Sequence, residues 1–288
     1  MKSLLDYIEL RKTLRNFILE DLGRGDITSE NLEHKDRIVS AFIIYKSNIT
    51  CILSGIEEVE MLFDMFGCET TYLKKDGDKI SPYTRVIKIR GKAKEILKVE
   101  RTALNLLMRM SGIATNTRSF VEIVKHIDSS IVVSATRKTA PGLRLLDKKA
   151  VVAGGGDSHR FRLDDMVIIK SNHLQIDKSI TNLISLMKKR VGSSIKIECE
   201  VRDHEEALEA IQAGVDVIML DNFSPSQVKR TINKIRDLNL RKKVKIEISG
   251  GITKENISKY AIHKPDIISV GYLTHSSEAL DFSLRISN

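Results

Sequence analysis

From about residue 130 onward, the sequence repeats one pattern: a short apolar run, then polar or glycine residues, then a segment with helical spacing. Apolar runs bounded in this way are typical of buried strands, and strands that alternate with helices indicate a parallel sheet. The runs cover residues 131–133, 166–169, 195–197, 217–220, 246–248 and 267–270. Because six such units follow one another, the pattern favours an α/β barrel over an open sheet.

The chain ahead of this repeat has a different pattern. Residues 4–20 and 55–66 have helical spacing. Residues 38–53 and 86–90 are rich in β-branched residues, which indicates strands. A long amphipathic stretch at 95–126 then predicts a helix, with a break near Ser111 and Gly112. These segments predict a small α+β domain before the barrel.

Charge limits the class of protein. The chain has 288 residues and a formal net charge of +9, and its densest basic run extends from Lys229 to Lys245. That run contains no aromatic residues and its apolar residues suit a helix, so it indicates a solvated surface helix. We therefore expect no nucleic-acid partner.

The cysteines and the apolar segments bear on location. Cys51, Cys68 and Cys199 have the spacing of neither a zinc site nor a disulfide framework, which indicates reduced, intracellular thiols. The N-terminus lacks the features of a signal peptide, and no apolar run approaches the roughly 20 residues of a membrane span. The sequence predicts a cytoplasmic protein without membrane contact.

Cationic residues follow several of the apolar runs. Because active sites of α/β barrels lie at the carboxyl ends of the strands, these residues are expected to meet at one mouth. A single lysine is more often a surface ion-pair partner, but a group of cations favours a site for carboxylates or phosphates. The group comprises Arg137, Lys138, Lys170 and His173, with His159 and Arg160 nearby.

Two carboxylates, Glu200 and Asp221, follow neighbouring strands and are expected to face the cations. They have the chemistry to bind ribose hydroxyls or Mg²⁺, and the alternative is charge balance for the cationic group. Glu198 lies two positions before Glu200, so the two side chains are expected on the same face of one strand.

Two glycine-containing strand ends complete the predicted mouth. Ser249-Gly250-Gly251 and the segment Gly271 to His275 each follow an apolar run, and the first precedes a predicted helix at 254–260. Late strand ends of barrels often bind phosphate through backbone N–H groups and a helix N-terminus. The glycine run 154–156 is interpreted as a flexible loop that presents His159 and Arg160 to the mouth.

These motifs together resemble the quinolinate phosphoribosyltransferase family nearly from end to end. The matching segments are 20–28, 100–105 with 111–115, 136–142, 154–160, 220–222, 249–252 and 269–275. The resemblance implies an incomplete, TIM-like α/β barrel at 106–276 and a smaller N-terminal α+β domain at 1–105, onto which the tail 277–288 packs. It implies conversion of quinolinate and phosphoribosyl pyrophosphate to nicotinate mononucleotide, pyrophosphate and CO₂.

The resemblance also assigns roles to residues. It implies a homodimer or higher oligomer in which Arg101 reaches the neighbouring subunit's site, and a Mg²⁺ ion near Glu200 and Asp221. Quinolinate contacts are implied for Arg101, Thr136, Arg137, Lys138, His159, Arg160 and Lys170. Phosphate contacts are implied for Ser249, Gly250, Gly251, Gly271 and His275.

The chain departs from the family at Ser171, where an acid usually follows the lysine that corresponds to Lys170. The missing acid changes the local charge balance, while the substrate-binding lysine is retained. Three alternatives stay open: a paralogue associated with molybdenum transport, a nicotinate-specific phosphoribosyltransferase, and a non-catalytic nucleic-acid-binding protein. The last leaves the acid pair and the two glycine turns without a role.

Overall fold

The computed structural model describes residues 4–287, whose contacts divide the chain into two compact units. The first unit contains the chain up to residue 118, residues 140–155 and the segment from 277 onward. The second contains residues 119–139 and 156–276. A domain boundary between 105 and 106 stays a prediction.

The helices and strands follow one another in chain order. The helices are α1 (Leu4–Leu22), α2 (Ile27–Glu30), α3 (Ile56–Asp64), α4 (Ala93–Lys125), α5 (Arg144–Ala153), α6 (Ser171–Asp177), α7 (Ile180–Val191), α8 (His204–Gln212), α9 (Pro225–Asp237), α10 (Ile257–Ala261) and α11 (Tyr272–His275), with a 3₁₀ turn at Arg241–Lys243. The strands are β1 (Ile38–Tyr45), β2 (Cys51–Ile52), β3 (Glu69–Tyr72), β4 (Lys79–Ile80), β5 (Arg85–Lys92), β6 (Val132–Ser134), β7 (Val167–Ile169), β8 (Ile197–Val201), β9 (Val217–Asp221), β10 (Lys245–Ser249), β11 (Ile267–Ser269) and β12 (Phe282–Ser287).

An antiparallel sheet with the strand order β12-β1-β5-β3 forms the centre of the first unit. In β1 the alternate residues Ala41, Ile43 and Tyr45 are buried, as expected for a strand that covers a core with one face. The last strand, β12, pairs along β1, so the last and first strands of the described chain are neighbours in this unit.

Helix α4 is continuous, and the break predicted near Gly112 is absent. A side chain at Gly112 would overlap the backbone carbonyl of Glu278, which lies against the helix at this point. The glycine therefore allows a close approach between two segments of the first unit and does not end a helix.

All six apolar runs form strands, and these strands make one parallel sheet in the order β7-β8-β9-β10-β11-β6. The spatial order follows the chain order, except that the first strand lies beside the last, which is the cyclic order of a barrel. Strands β6 and β7 do not pair in the described chain. Instead a single bridge joins Ser134 of β6 to Asp157, so the barrel is incomplete, as expected.

Helices α7, α8 and α9 pack in sequence along the sheet. Ser224 caps the N-terminus of helix α9, because its hydroxyl accepts from the backbone amide of Gln227. The helix buries Val228, Ile232 and Ile235 at helical spacing. The basic run that starts at Lys229 is a surface helix only up to Asp237; it continues through the 3₁₀ turn into β10. No helix within residues 4–287 is long and apolar enough to cross a lipid bilayer.

Candidate active site

A cavity of about 720 Å³ opens at the carboxyl ends of the parallel strands in the second unit, within the usual range for small-molecule sites. Its lining contains nearly all of the site residues that the sequence predicts. The lining residues are Ala135, Thr136, Arg137, Lys138, His159, Arg160, Ile168, Lys170, Glu200, Met219, Asp221, Asn222, Glu247, Ser249, Gly250, Gly251, Ile252, Thr253, Ser269, Gly271, Tyr272 and His275.

The alternation of side chains along each strand explains this lining. Residues two apart share a face of the sheet, and such pairs line the cavity on β9 (Met219 and Asp221) and on β10 (Glu247 and Ser249). Intervening residues such as Leu220 point to the opposite face and are buried. The apolar runs thus supply the outer core, and their alternate residues supply the site.

The cations of the cavity come from three segments of the second unit. The Nε atom of Arg137 is buried and has no hydrogen-bond partner among the described residues. Arg160 donates from Nη1 to the Met166 carbonyl over 3.0 Å, and burial together with the nearby Arg137 lowers its pKa. Two guanidinium groups held close together in this way favour an anionic ligand between or beside them.

Buried carboxylates contact His159. Its Nε2 atom lies 3.1 Å from Oε2 of Glu247 and 3.7 Å from Oε2 of Glu198, and both acids are almost fully excluded from solvent. Burial, followed by the charge of Glu247, raises the pKa of Glu198 to about 9. The protonated form of Glu198 is therefore favoured, and protonation reduces the repulsion between the two acids.

A second acid pair lies nearer the strand ends. Glu200 Oε2 is 3.4 Å from Nζ of Lys170, which follows the neighbouring strand. Burial and then the charge of Glu200 raise the pKa of Asp221, whose side chain also accepts from Nδ2 of Asn222 over 2.6 Å. Glu200 and Asp221 are therefore close enough to repel one another, and a cation would relieve that repulsion.

The turn after β10 has two consecutive glycines in the left-handed region. Gly250 has a φ of 95°, and a side chain there would overlap Asn222. The helix predicted from residue 254 begins only at Ile257, because Asn256 bonds to the Thr253 amide and the Gly251 carbonyl and forms a turn instead. At this strand end the segment therefore presents the glycine turn, and the N-terminus of α10 begins several residues later.

The loop before β7 contains several specific hydrogen bonds, and its predicted flexibility stays a prediction. Asp157 pairs with β6, and its Oδ1 accepts from the His159 amide over 2.7 Å. His159 adopts a left-handed φ of 52°, and its Nδ1 accepts from the Arg160 amide over 2.8 Å. These bonds bring His159 and Arg160 into the cavity lining.

Two groups of side chains have the composition of metal sites. His159, Glu198 and Glu247 form one group, but an Nδ1 atom that accepts a hydrogen bond leaves the imidazole proton on Nε2, the atom that would have to bind the metal. Glu200 and Asp221 form the other, and their half-buried oxygen donors suit Mg²⁺.

Among the predicted site residues, only Arg101 and His173 are absent from the lining of the cavity. Arg101 is an exposed residue of α4 in the first unit. Nδ1 of His173 instead accepts a hydrogen bond from the backbone amide of Lys170, and this bond caps the N-terminus of α6. Glu247 was not predicted because it interrupts an apolar run, although its position two residues before Ser249 places it on the same face.

Comparisons with known proteins agree with this architecture. The chain matches the family models for the N-terminal and C-terminal domains of quinolinate phosphoribosyl transferase, over residues 26–111 and 113–285. A relative from Archaeoglobus fulgidus, named "Probable nicotinate-nucleotide pyrophosphorylase (carboxylating)", is 44% identical over 262 residues, which cover 91% of this chain and 98% of that one.

A relative of the same name from Methanothermobacter thermautotrophicus is 41% identical and covers 95% of this chain and 97% of its own. The solved nicotinate-nucleotide pyrophosphorylase from Francisella tularensis superimposes with a TM-score of 0.87 at 33% identity, over 97% of this chain and 96% of that one. Both family models and full-length relatives thus match across both parts of the sequence, and the chain belongs to the quinolinate phosphoribosyl transferase family.

Proposed function

We propose that this protein is a decarboxylating quinolinate phosphoribosyltransferase, which makes nicotinate mononucleotide, pyrophosphate and CO₂ from quinolinate and phosphoribosyl pyrophosphate for NAD biosynthesis. The observation that carries this proposal is the composition of the cavity. Cations, a carboxylate pair and two glycine-containing strand ends line one space at the carboxyl ends of the sheet. The three groups correspond to a dicarboxylate, a ribose and a phosphate.

The cationic side of the cavity suits the pyridine dicarboxylate. Arg137, Lys138, Arg160 and Lys170 supply charged donors there, beside Thr136 and His159. The buried Nε–H of Arg137 lacks an acceptor among the described residues, which costs free energy that a substrate carboxylate would recover. This unsatisfied donor supports a ligand that brings its own anionic oxygens.

Glu200 and Asp221 suit the ribose hydroxyls and a Mg²⁺ ion bound with pyrophosphate. Their mutual repulsion and oxygen chemistry fit that ion, which would neutralise charge on the leaving pyrophosphate. Ser249, Gly250, Gly251 and Gly271 line the same cavity and offer backbone N–H groups to the 5-phosphate of the ribose. His275, which also lines the cavity, offers an imidazole.

The chemistry follows from how these groups orient the substrates. The quinolinate ring nitrogen attacks C1 of the ribose; the C1–O bond breaks, and pyrophosphate leaves with its electron pair. The C2–carboxylate bond then breaks with release of CO₂, and the electron pair that stays on C2 takes up a proton. Arg137 and Arg160, held beside the dicarboxylate, stabilise the negative charge that develops there.

Quaternary structure and location complete the proposal. We propose a homodimer or larger homo-oligomer in which Arg101, which is exposed on α4, enters the site of the neighbouring subunit. The three buried free cysteines support a reducing compartment, for which we propose the cytoplasm.

The test is a paired assay. The purified protein is incubated with Mg²⁺, phosphoribosyl pyrophosphate and either quinolinate or nicotinate, and the released CO₂ and the nucleotide are quantified. We expect equal amounts of CO₂ and nicotinate mononucleotide from quinolinate and far slower turnover of nicotinate. Absence of product from quinolinate contradicts the proposal, and product from nicotinate alone favours the nicotinate-specific enzyme.

A further inference from the structure

The buried contact between His159 and Glu247 joins two distant parts of the second unit. The two residues are 88 positions apart, and Glu247 belongs to the interior of β10 whereas His159 lies in the loop after Asp157. The side chain of His159 is 12% exposed and that of Glu247 is 1% exposed. A hydrogen bond so well shielded from water is stronger than the same bond at the surface.

Hydrogen-bond directions fix the state of the His159 ring. A backbone amide can only donate, so Nδ1 must accept the bond from the Arg160 amide. The ring proton then resides on Nε2, which donates to Oε2 of Glu247 over 3.1 Å. Both ring nitrogens are therefore engaged within the protein, and neither has a further hydrogen bond to offer a substrate.

The same bonds determine where Arg160 lies. His159 has a left-handed backbone, which is unfavourable for a residue with a side chain and persists only where surrounding contacts hold it. Three bonds surround this backbone: from its own amide to Asp157, from the Arg160 amide to the ring, and from the ring to Glu247. Arg160 comes directly after this turn and is fixed at its other end by the Met166 carbonyl.

We propose that Glu247 is a positioning residue that acts through His159: it accepts the Nε2 proton and so holds the 157–160 turn in the conformation that presents Arg160 to the dicarboxylate. His159 is then a structural link in the site, and Arg160 is the residue that contacts substrate. The proposal rests on the proposed function only for the identity of the dicarboxylate; the state of the imidazole is a property of the substrate-free protein.

The first experiment therefore needs no substrate. Protein labelled with ¹⁵N at histidine is examined by long-range ¹H–¹⁵N correlation, and the His159 signals are assigned by their loss in His159→Gln. We expect a neutral ring protonated at Nε2. A ring protonated at Nδ1, or at both nitrogens, overturns the proposal because Nδ1 could then not accept from the Arg160 amide.

The second experiment compares Glu247→Gln with Glu247→Ala. The glutamine retains an oxygen that can accept from Nε2, whereas the alanine removes the acceptor. We expect Glu247→Ala to raise the KM for quinolinate by about 10- to 100-fold, with the KM for phosphoribosyl pyrophosphate and kcat changed far less. Glu247→Gln is expected to stay within about threefold of the wild type in each parameter.

The control is Ile248→Val, which removes one methylene from the buried neighbour of Glu247 on the opposite face of β10. It is expected to lower the Tm without altering the KM for quinolinate. The proposal is overturned if Glu247→Ala leaves this KM unchanged, or if Glu247→Gln raises it as much as alanine does. Inactivity of the wild type towards quinolinate contradicts the proposed function alone, because the imidazole spectrum still tests the role of Glu247.

Discussion

Side chains two apart on one strand perform different tasks in this cavity. Glu198 and Glu200 share a face of β8, yet Glu198 is buried beside His159 whereas Glu200 contacts Lys170 near the strand end. Depth along the strand therefore decides whether a carboxylate is shielded from water or available to a ligand. The same division separates Glu247 from Ser249 on β10.

Arg137 provides a direct test of the cationic side. In the wild type the buried Nε–H of Arg137 has no acceptor among the described residues, so it is available to a substrate carboxylate. We expect Arg137→Ala to lower kcat/KM for quinolinate by about 100-fold or more, because the variant loses this charged donor. The Tm should change little, since that donor makes no bond in the substrate-free fold. The measurement is steady-state kinetics with a thermal melt.

The matched control for Arg137→Ala is Arg230→Ala, which removes the same charge from the exposed face of α9. Its kcat/KM should equal that of the wild type. Near-normal kinetics in Arg137→Ala, or an equal loss in both variants, would show that the substrate does not bind at Arg137.

The buried thiols give a prediction about pH. Burial raises the pKa of Cys51 to about 12, of Cys68 to about 11 and of Cys199 to about 12, from an ordinary value of 9.0. Folded protein at about pH 8 therefore contains almost no thiolate, and we expect negligible reaction with a thiol-specific disulfide reagent. Denaturant should release all three.

The same shifts affect stability in alkali. Above about pH 9 the unfolded chain loses thiol protons that the folded chain keeps, so the free energy of unfolding falls as pH rises. Rapid labelling of any cysteine in the native protein at neutral pH would contradict this account of the three residues.

At the scale of elements, helix α4 shows how packing can override helix propensity. Alanine is a better helix former than glycine by about 1 kcal/mol, yet a side chain at Gly112 would overlap the Glu278 carbonyl. We expect Gly112→Ala to lower the free energy of unfolding by about 1–2 kcal/mol net, because overpacking exceeds the gain in propensity. Denaturant titration measures the change.

The control for this prediction is Asn105→Ala at an exposed position of the same helix. There the higher propensity of alanine has no steric cost, and stability should be unchanged or slightly increased. A stabilised Gly112→Ala variant would mean that the tail does not approach the helix as closely as described.

The turn after β10 offers a matched pair of glycines. Gly250→Ala would combine a φ of 95° with overlap against Asn222, whereas Gly251→Ala at a φ of 59° meets no atom within 4 Å. We expect a loss of stability of about 2 kcal/mol or more at Gly250 and about 1 kcal/mol at Gly251. The KM for phosphoribosyl pyrophosphate should rise more in the first variant; equal effects would argue against the turn geometry.

At the scale of the whole molecule, Arg101 tests the oligomer. The variants Arg101→Ala and Arg137→Ala are co-expressed with different affinity tags, and the heterodimer is isolated. If Arg101 serves the neighbouring subunit, one of the two sites contains both arginines, and the heterodimer should recover about half of the wild-type activity.

The parent homodimers serve as controls and should be almost inactive. If Arg101 acted within its own chain, neither site of the heterodimer would be intact, and the activity would stay at the level of the parents. The measurement is kcat per dimer at saturating substrates.

Much of the second unit could be predicted because its signals are local. Each strand appears as a short apolar run with polar or glycine residues at its end, and parallel strands must bring those ends to one edge. Arg137, Lys170 and Asp221 each follow an apolar run, so the sequence alone predicts that they meet, and they do line one cavity. The resemblance to the family supplied the roles of these residues and the incomplete barrel.

Other features depended on contacts that no local pattern contains. The local sequence around an acid within an apolar run, such as Glu247, does not show whether that acid is buried with a partner or exposed at a strand edge. Gly112 suggested a helix break because the segment that lies against it is more than 160 positions further along the chain. Asn256 delayed a helix through two side-chain bonds to nearby backbone.

The sequence by itself thus determined the fold class, the strand positions and the charge of the cavity, because hydrophobic periodicity and strand-end composition are properties of consecutive residues. The tertiary structure decided which buried groups meet. Only folding brings Glu198 and Glu247, from non-adjacent strands, against the ring of His159. Buried polar groups require partners within the protein, and here those partners lie far apart along the chain.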